Sequence, residues 1–398
     1  MITLADVVAA RQQVAAIVRD TPVRATHSIS RVAGRTVLLK PEHRQRTGSY
    51  KVRGAYNHIS RLPAGVAVVA ASAGNHAQGV AFAAGATGRQ ATIFMPLGAS
   101  LPKIEATRGY GADVRLVGGV VDDTLLAARA YALEAGAAFV PPFDDPHIIA
   151  GQGTVGLELA DQAADAEVVV VPVGGGGLIA GVATALAATR PGTKVVGVEA
   201  EGAAAMQAAL AAGRPVVLDR VATMADGIAV RCVSELTLAH AAAYVDHVVT
   251  VTEEEISRAL LLLLERAKAV VEPSGAVALA AVLAGKIPGR GPACCILSGG
   301  NVDPLLLMKL IQHGLSAAGR YLVVRVVVAD RPGQLARLTA RLAELGLNVL
   351  DVEHHRSGVR VAFDEVEVLL TLETRGPVHG AEIAAALAAD GARVEVVR

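Results

Sequence analysis

Five short segments concentrate chemically capable side chains in an otherwise apolar chain. Residues 47–55 read TGSYKVRGA and set Lys51 beside an aromatic residue, between glycine-bearing turns. Residues 72–79 read SAGNHAQG, 173–178 read VGGGGL, 223–229 read TMADGIA and 297–301 read LSGGN. The commonest fate of a lysine is a solvated surface charge. A desolvated lysine, by contrast, loses its proton more easily and becomes a nucleophilic amine.

The surroundings of Lys51 alone leave both readings open, and the other segments narrow them. Four consecutive glycines, Gly174, Gly175, Gly176 and Gly177, follow a buried strand and open a helix. Without Cβ atoms their N–H groups converge on an anion at the positive helix end. The run lacks G-x-G-x-x-G spacing and the Lys-Ser/Thr ending of a nucleotide loop, which disfavours NAD and ATP. A tight turn alone also uses glycine, though four in a row exceed what a turn requires. One lysine, one phosphate loop, one amide-rich helix start and one lone hydroxyl together suit a phosphorylated cofactor that carries an aldehyde.

These segments need rigid elements to hold them. Up to about residue 310, β-branched runs alternate with Ala/Leu-rich stretches: VAVVAAS before NHAQGVAFAAGATG, VVVVPVG before LIAGVATALAAT, CCILSGG before PLLLMKLIQHG. Apolar strands without alternation predict open parallel α/β sheets buried on both faces. Ligands bind outside the carboxyl ends of such strands, where the segments above fall. After the small-residue stretch 314–320 the order becomes strand, helix, strand, strand, helix, strand, a ferredoxin-like βαββαβ unit. Pro332 and Gly346 read as the start and stop of its first helix.

Bulk properties exclude other classes. With 37 basic and 37 acidic residues the chain has no electrostatic case for nucleic acid or an acidic membrane. The uncharged run 168–189 is long enough to span a bilayer, but Pro172 and four glycines read better as strand, turn and helix. Asp6 and Arg11 interrupt the first apolar run, so it does not read as a signal peptide. Three cysteines, Cys232, Cys294 and Cys295, show no metal-like spacing and fit a reduced cytoplasm.

TGSYKVRGA, SAGNHAQGVA, GGGGLIAG, TMADGIAV, EPSGA (272–276) and LSGGNVD, in that order, resemble the fold-type II pyridoxal-phosphate enzymes. Within them the likeness is to the threonine/serine dehydratase and serine racemase branch. The tail segment DRPGQLARLTARLAELGLNV resembles an ACT domain, a module that binds amino acids and works as a dimer. The resemblance implies a catalytic domain over 1–313, with a smaller subdomain at about 52–150 inserted in the larger one. A linker at 314–320 and an ACT-type domain at 321–398 follow.

The resemblance also implies roles. Lys51 would form the Schiff base with pyridoxal 5'-phosphate and take the α-proton of the substrate. Tyr50, where the family more often has Phe, would lie against the ring. Asn75 would bond the phenolic oxygen, and Gly174 to Gly177 with Leu178 would bind the phosphate. Ser298 would face the pyridine nitrogen, and Gly227 and Glu272 would line the site. Ser72, Gly74, Asn75 and His76 would hold the substrate carboxylate. A merely structural imidazole at His76 and a helix-capping role for Ser298 stand as alternatives.

The implied activity is β-elimination from L-threonine to 2-oxobutanoate and ammonia, with L-serine giving pyruvate. Two positions depart from the racemase pattern. Ala73 stands where racemases carry a second acid/base serine, and Ala205 stands where a metal-ligating carboxylate would follow Glu199. Elimination is therefore expected over racemisation, and no metal is expected. His354 and His355 read as surface or dimer-interface residues of the tail. In that tail an effector, isoleucine or valine, would contact Asp330, Gly333, Gln334 and Leu335 together with Leu347 and Asn348 of a second subunit in a homodimer or homotetramer. A purely oligomerising tail is the plainer reading. A serine racemase, a dehydratase of another β-hydroxy amino acid such as 3-hydroxyaspartate, and a non-catalytic amino-acid sensor complete the alternatives.

Overall fold

The computed structural model describes residues 1–119, 121–317, 319–356 and 362–397. The chain divides into two compact units, Met1–Leu307 and Met308–Arg398.

Two parallel sheets organise the first unit. The larger has six strands in the order Arg24–Ala25, Val37–Lys40, Ala293–Ile296, Val168–Pro172, Lys194–Ala200 and His247–Val251. Only the first pair is antiparallel. The smaller sheet has four parallel strands in the order Asp113–Leu116, Ala91–Met95, Val68–Ala71 and Ala138–Phe139. Every residue of Val168–Pro172 is buried, which is why that strand shows no polar alternation. Val169 and Val171 pack with Ile179, Val182, Leu186 and Met206 in the larger core. Val68, Ala70, Ile93 and Met95 pack on Val80 and Ala84 in the smaller one.

The uncharged run resolves into the strand Val168–Pro172 and the helix Gly177–Thr189, split by glycine. Among the described residues, no helix is long and apolar enough to cross a membrane.

The second unit carries an antiparallel sheet in the order Val349–His355, Glu365–Glu373, Tyr321–Ala329 and Arg393–Val396. Its helices are Gln334–Glu344 and Pro377–Ala389. The first begins two residues beyond Pro332, because Gly333 at its N-cap takes φ +88°. The stretch expected to link the units is helical for its first residues, where Leu, Ser and Ala extend the helix Pro304–Ala317.

Candidate active site

Backbone geometry delivers Lys51. Thr47 and Gly48 both adopt left-handed conformations, φ 62° and 72°. For a β-branched residue such a φ is an outlier that surrounding structure must enforce. Ser49 bridges Gly299, and the Tyr50 N–H donates to the Ser298 carbonyl at 3.2 Å. Lys51 then opens the helix Lys51–Ile59. Two residues on, the buried Arg53 grips Glu42 through Nε and Nη2, both at 2.8 Å. Its Nη1 reaches Glu158 at 2.6 Å. The first helical turn is thus pinned from below.

Lys51 Nζ donates to the Pro142 carbonyl at 3.1 Å and lies 5.4 Å from the centre of the Tyr50 ring. Burial pushes its pKa down to about 8, against the opposing charge of Glu272. The amine therefore has a substantial neutral fraction near physiological pH, the form that attacks a carbonyl.

Asn75 begins the helix Asn75–Ala86. Its Nδ2 donates to Glu272 Oε1 at 2.5 Å, and its Oδ1 accepts from Asn301 Nδ2 at 2.7 Å. The same Asn301 nitrogen donates to the Thr47 carbonyl at 2.7 Å. One side chain thus ties the lysine segment to the asparagine segment. Gly299 lets both side chains approach: a Cβ there would stand 2.8 Å from Asn75 Nδ2 and would displace Glu272 Oε1. Burial, then the negative Asp226, pushes the Glu272 carboxyl up to about 7, while the Asn75 bond, Lys103 and Lys51 pull it down.

The glycine run has a packing cause besides phosphate binding. A Cβ on Gly174 would stand 2.9 Å from Ile228 Cα, and one on Gly175 would collide with the Phe143 ring. Gly176 takes φ +90° at the N-cap of the helix Gly177–Thr189. Among the described residues, no carbonyl accepts the N–H of Gly174, Gly175, Gly176, Gly177 or Leu178. Those donors, at a positive helix end, are available to an anion.

Ser298 is buried and its Oγ lies 3.5 Å from the Ser274 carbonyl. Ser274 Oγ is buried without a hydrogen-bond partner. A Cβ on Gly227 would come within 2.8 Å of that oxygen, so Gly227, Ser274 and Glu272 form one wall.

In the segment 72–76, Ser72 Oγ accepts the Gly74 N–H at 3.2 Å. The His76 imidazole is turned inward, with Nε2 2.9 Å from the Val140 carbonyl. Burial, then the Lys51 charge, pushes its pKa down to about 3, so the ring is neutral. Only the backbone of His76 is left for a substrate carboxylate.

Both Glu199 oxygens are taken by the helix start that follows it: Oε1 by Met206 N–H at 2.7 Å, Oε2 by Gln207 N–H at 2.9 Å. Among the described residues, no group of three His, Cys, Asp or Glu side chains is placed to hold a metal ion.

In the second unit, Leu347 and Asn348 line a cavity of about 410 Å³ with Arg320, Glu373, Arg375 and His379. Asn348 Nδ2 donates to Glu373 Oε2 at 3.0 Å. The other residues expected at an effector, Asp330, Gly333, Gln334 and Leu335, do not line it within one chain.

The architecture and the clustered segments define a class, and comparison with known proteins agrees. The model described as pyridoxal-phosphate dependent enzyme matches residues 14–299, and the ACT domain model matches residues 322–389. The chain belongs to the pyridoxal-phosphate dependent enzyme family and carries a C-terminal ACT domain.

Among curated relatives, an L-threonine ammonia-lyase of Thermotoga maritima is 46% identical over 100% of both chains. Among solved structures, the processed form of threonine deaminase isoform 2 from Solanum lycopersicum matches with TM-score 0.74 and 39% identity, covering 78% of this chain and 92% of that one. Maize serine racemase matches with TM-score 0.74 and 33% identity, covering 79% and 98%.

The residues present fit the family's cofactor. Free N–H donors at Gly174–Leu178 suit a phosphate, a Lys51 amine with its pKa lowered to about 8 suits an aldehyde, and the wall beside Gly227 carries the unpartnered Ser274 hydroxyl. Asn301, Pro142 and Phe143 join the site although none is among the candidate residues read from the sequence. Asn301 closes the LSGGN segment and was within reach, whereas Pro142 and Phe143 had only a short PPF stretch to mark them.

Proposed function

We propose that this protein is a threonine ammonia-lyase, converting L-threonine to 2-oxobutanoate and ammonia and L-serine to pyruvate. The observation that carries the reading is Lys51 Nζ, its pKa lowered by burial to about 8, in one cluster with the Asn75–Glu272–Asn301 chain and Ser298. Full-length similarity to a named L-threonine ammonia-lyase supports the choice of substrate.

Pyridoxal phosphate, when bound, supplies the aldehyde that captures an amine and the ring that draws electrons from the α-carbon. The chain does the rest. Gly174–Leu178 N–H groups would hold the phosphate, and Asn75, fixed by Asn301, would orient the ring. Ser298, buried with its hydroxyl near the Ser274 carbonyl, would offer that neutral group to the ring nitrogen. Lys51 Nζ takes the α-proton. The backbone of residues 72–76 seats the substrate carboxylate at the start of a helix. Ala73 has no group to return a proton on the opposite face, which disfavours a racemase.

The catalytic role belongs to residues 1–313, with the smaller subdomain at about 52–150, and regulation to residues 321–398. An amino-acid effector, isoleucine or valine, contacts Leu347 and Asn348, in a homodimer or homotetramer in the cytoplasm. Purified protein tests the reading: 2-oxo acid release from L-threonine and L-serine, with and without isoleucine. Turnover of L-threonine supports it. Chiral analysis showing D-serine as the main product from L-serine would replace it with a racemase.

A further inference from the structure

Lys103 and Asp226 meet across the gap between the two parallel sheets. Lys103 lies on the helix Leu101–Gly109, between two strands of the four-stranded sheet. Asp226 opens the turn Asp226–Ile228, which follows the strand Lys194–Ala200 of the six-stranded sheet. Lys103 Nζ stands 2.5 Å from Asp226 Oδ2. The lysine side chain is 15% exposed and the aspartate 52%, which puts the pair at a rim.

The segment 223–229 is already held from its own side, because Glu253 Oε2 accepts the Met224 N–H at 2.9 Å. Lys103 holds it from the other sheet. The segment carries Gly227, whose Cα approaches Ser274 Oγ and Glu272 Oε1 closely enough that a Cβ would stand 2.8 and 3.7 Å from them. A displacement of Asp226 therefore moves a wall of the site. The pair also cancels a charge: an unpaired carboxylate at Asp226 would face the incoming carboxylate of an amino acid and repel it.

We propose that Lys103 and Asp226 form a clasp between the two sheets that positions segment 223–229 over the amino-acid site and neutralises its rim. Both are positioning residues; neither touches the reacting atoms. The clasp acts on substrate capture, so it alters KM and leaves kcat nearly unchanged. This kinetic expectation rests on the threonine ammonia-lyase reading.

The test uses the full-length, cofactor-loaded protein with Lys103→Met, Asp226→Asn, and the reversed pair Lys103→Asp with Asp226→Lys. Lys103→Met, which leaves Asp226 unpaired, is expected to raise KM for L-threonine about fivefold, the scale of one rim ion pair. Asp226→Asn, which frees the segment without adding repulsion, raises it less, and kcat stays close to that of the parent in both. Amide hydrogen exchange across 223–229, measured without substrate, quickens in both single variants. The reversed pair restores KM and exchange protection towards the parent values. Single variants with parental KM and exchange, or a reversed pair no better than either, would overturn the clasp. Exchange needs no turnover, so a protein inert towards L-threonine refutes the proposed activity while the clasp is still judged by exchange.

Discussion

Asn75 Nδ2 lies 2.5 Å from Glu272 Oε1, joining residues 197 positions apart at the centre of the site. The other end of the same amide is fixed by Asn301 at 2.7 Å, so its orientation is set from both sides. An amide held in this way presents a fixed donor and acceptor to whatever binds beside it.

Asn301→Ala removes the bonds to the Asn75 and Thr47 oxygens together. Asn75 then keeps its bond to Glu272 but loses its second anchor, and two partly buried acceptors lose their donor. The dissociation constant for pyridoxal phosphate, titrated by absorbance, is expected to rise about tenfold. An unchanged constant would show that Asn301 does not orient Asn75.

Glu272 gives stability a pH dependence of known sign. In the folded protein burial holds its proton to about 7, whereas the ordinary carboxyl releases it near 4.5. The folded state binds more protons between these values, so stability contributed by this group falls as pH rises through them. Glu272→Gln abolishes that loss. Thermal melts without cofactor are expected to show no advantage for the variant below the window. Above it the advantage is constant, up to about 3 kcal/mol.

Lys51 is expected to set the pH of cofactor capture. Its amine, pushed down to about 8, gains its neutral fraction as pH rises through that value. In protein stripped of cofactor, the rate of binding added pyridoxal phosphate is expected to climb through about pH 8 and then level. A rate flat across that range would contradict a titrating Lys51.

Arg53 carries the stability of the lysine helix. It and Glu42 are fully buried and joined through two bonds of 2.8 Å. Arg53→Ala leaves the Glu42 charge uncompensated and is expected to cost about 3–5 kcal/mol in urea unfolding. Arg53→Lys recovers only part of this, because an ammonium cannot form the two-pronged bond.

Much of this site was legible in the sequence. The non-alternating valine run gave a parallel sheet, and the segments at strand ends marked Lys51, Asn75, the glycine run and Ser298. What was not legible is pairing across distance. Nothing in the local sequence of Lys103 announces Asp226, and nothing near Thr47 announces Asn301, because such contacts exist only once the sheets are packed. The glycine run misled in one respect: packing against Phe143 and Ile228 requires glycine there even without an anion. For His76 a substrate ligand and a structural imidazole both fit the sequence, and the structure turns its ring towards the Val140 carbonyl, leaving its backbone to the site.

The most direct measurement is borohydride reduction of the cofactor-loaded protein followed by peptide mass mapping. A reduced pyridoxyl group is expected on Lys51, absent from a Lys51→Ala variant that also releases no 2-oxobutanoate from L-threonine. A label on another lysine, or undiminished turnover by that variant, would contradict it.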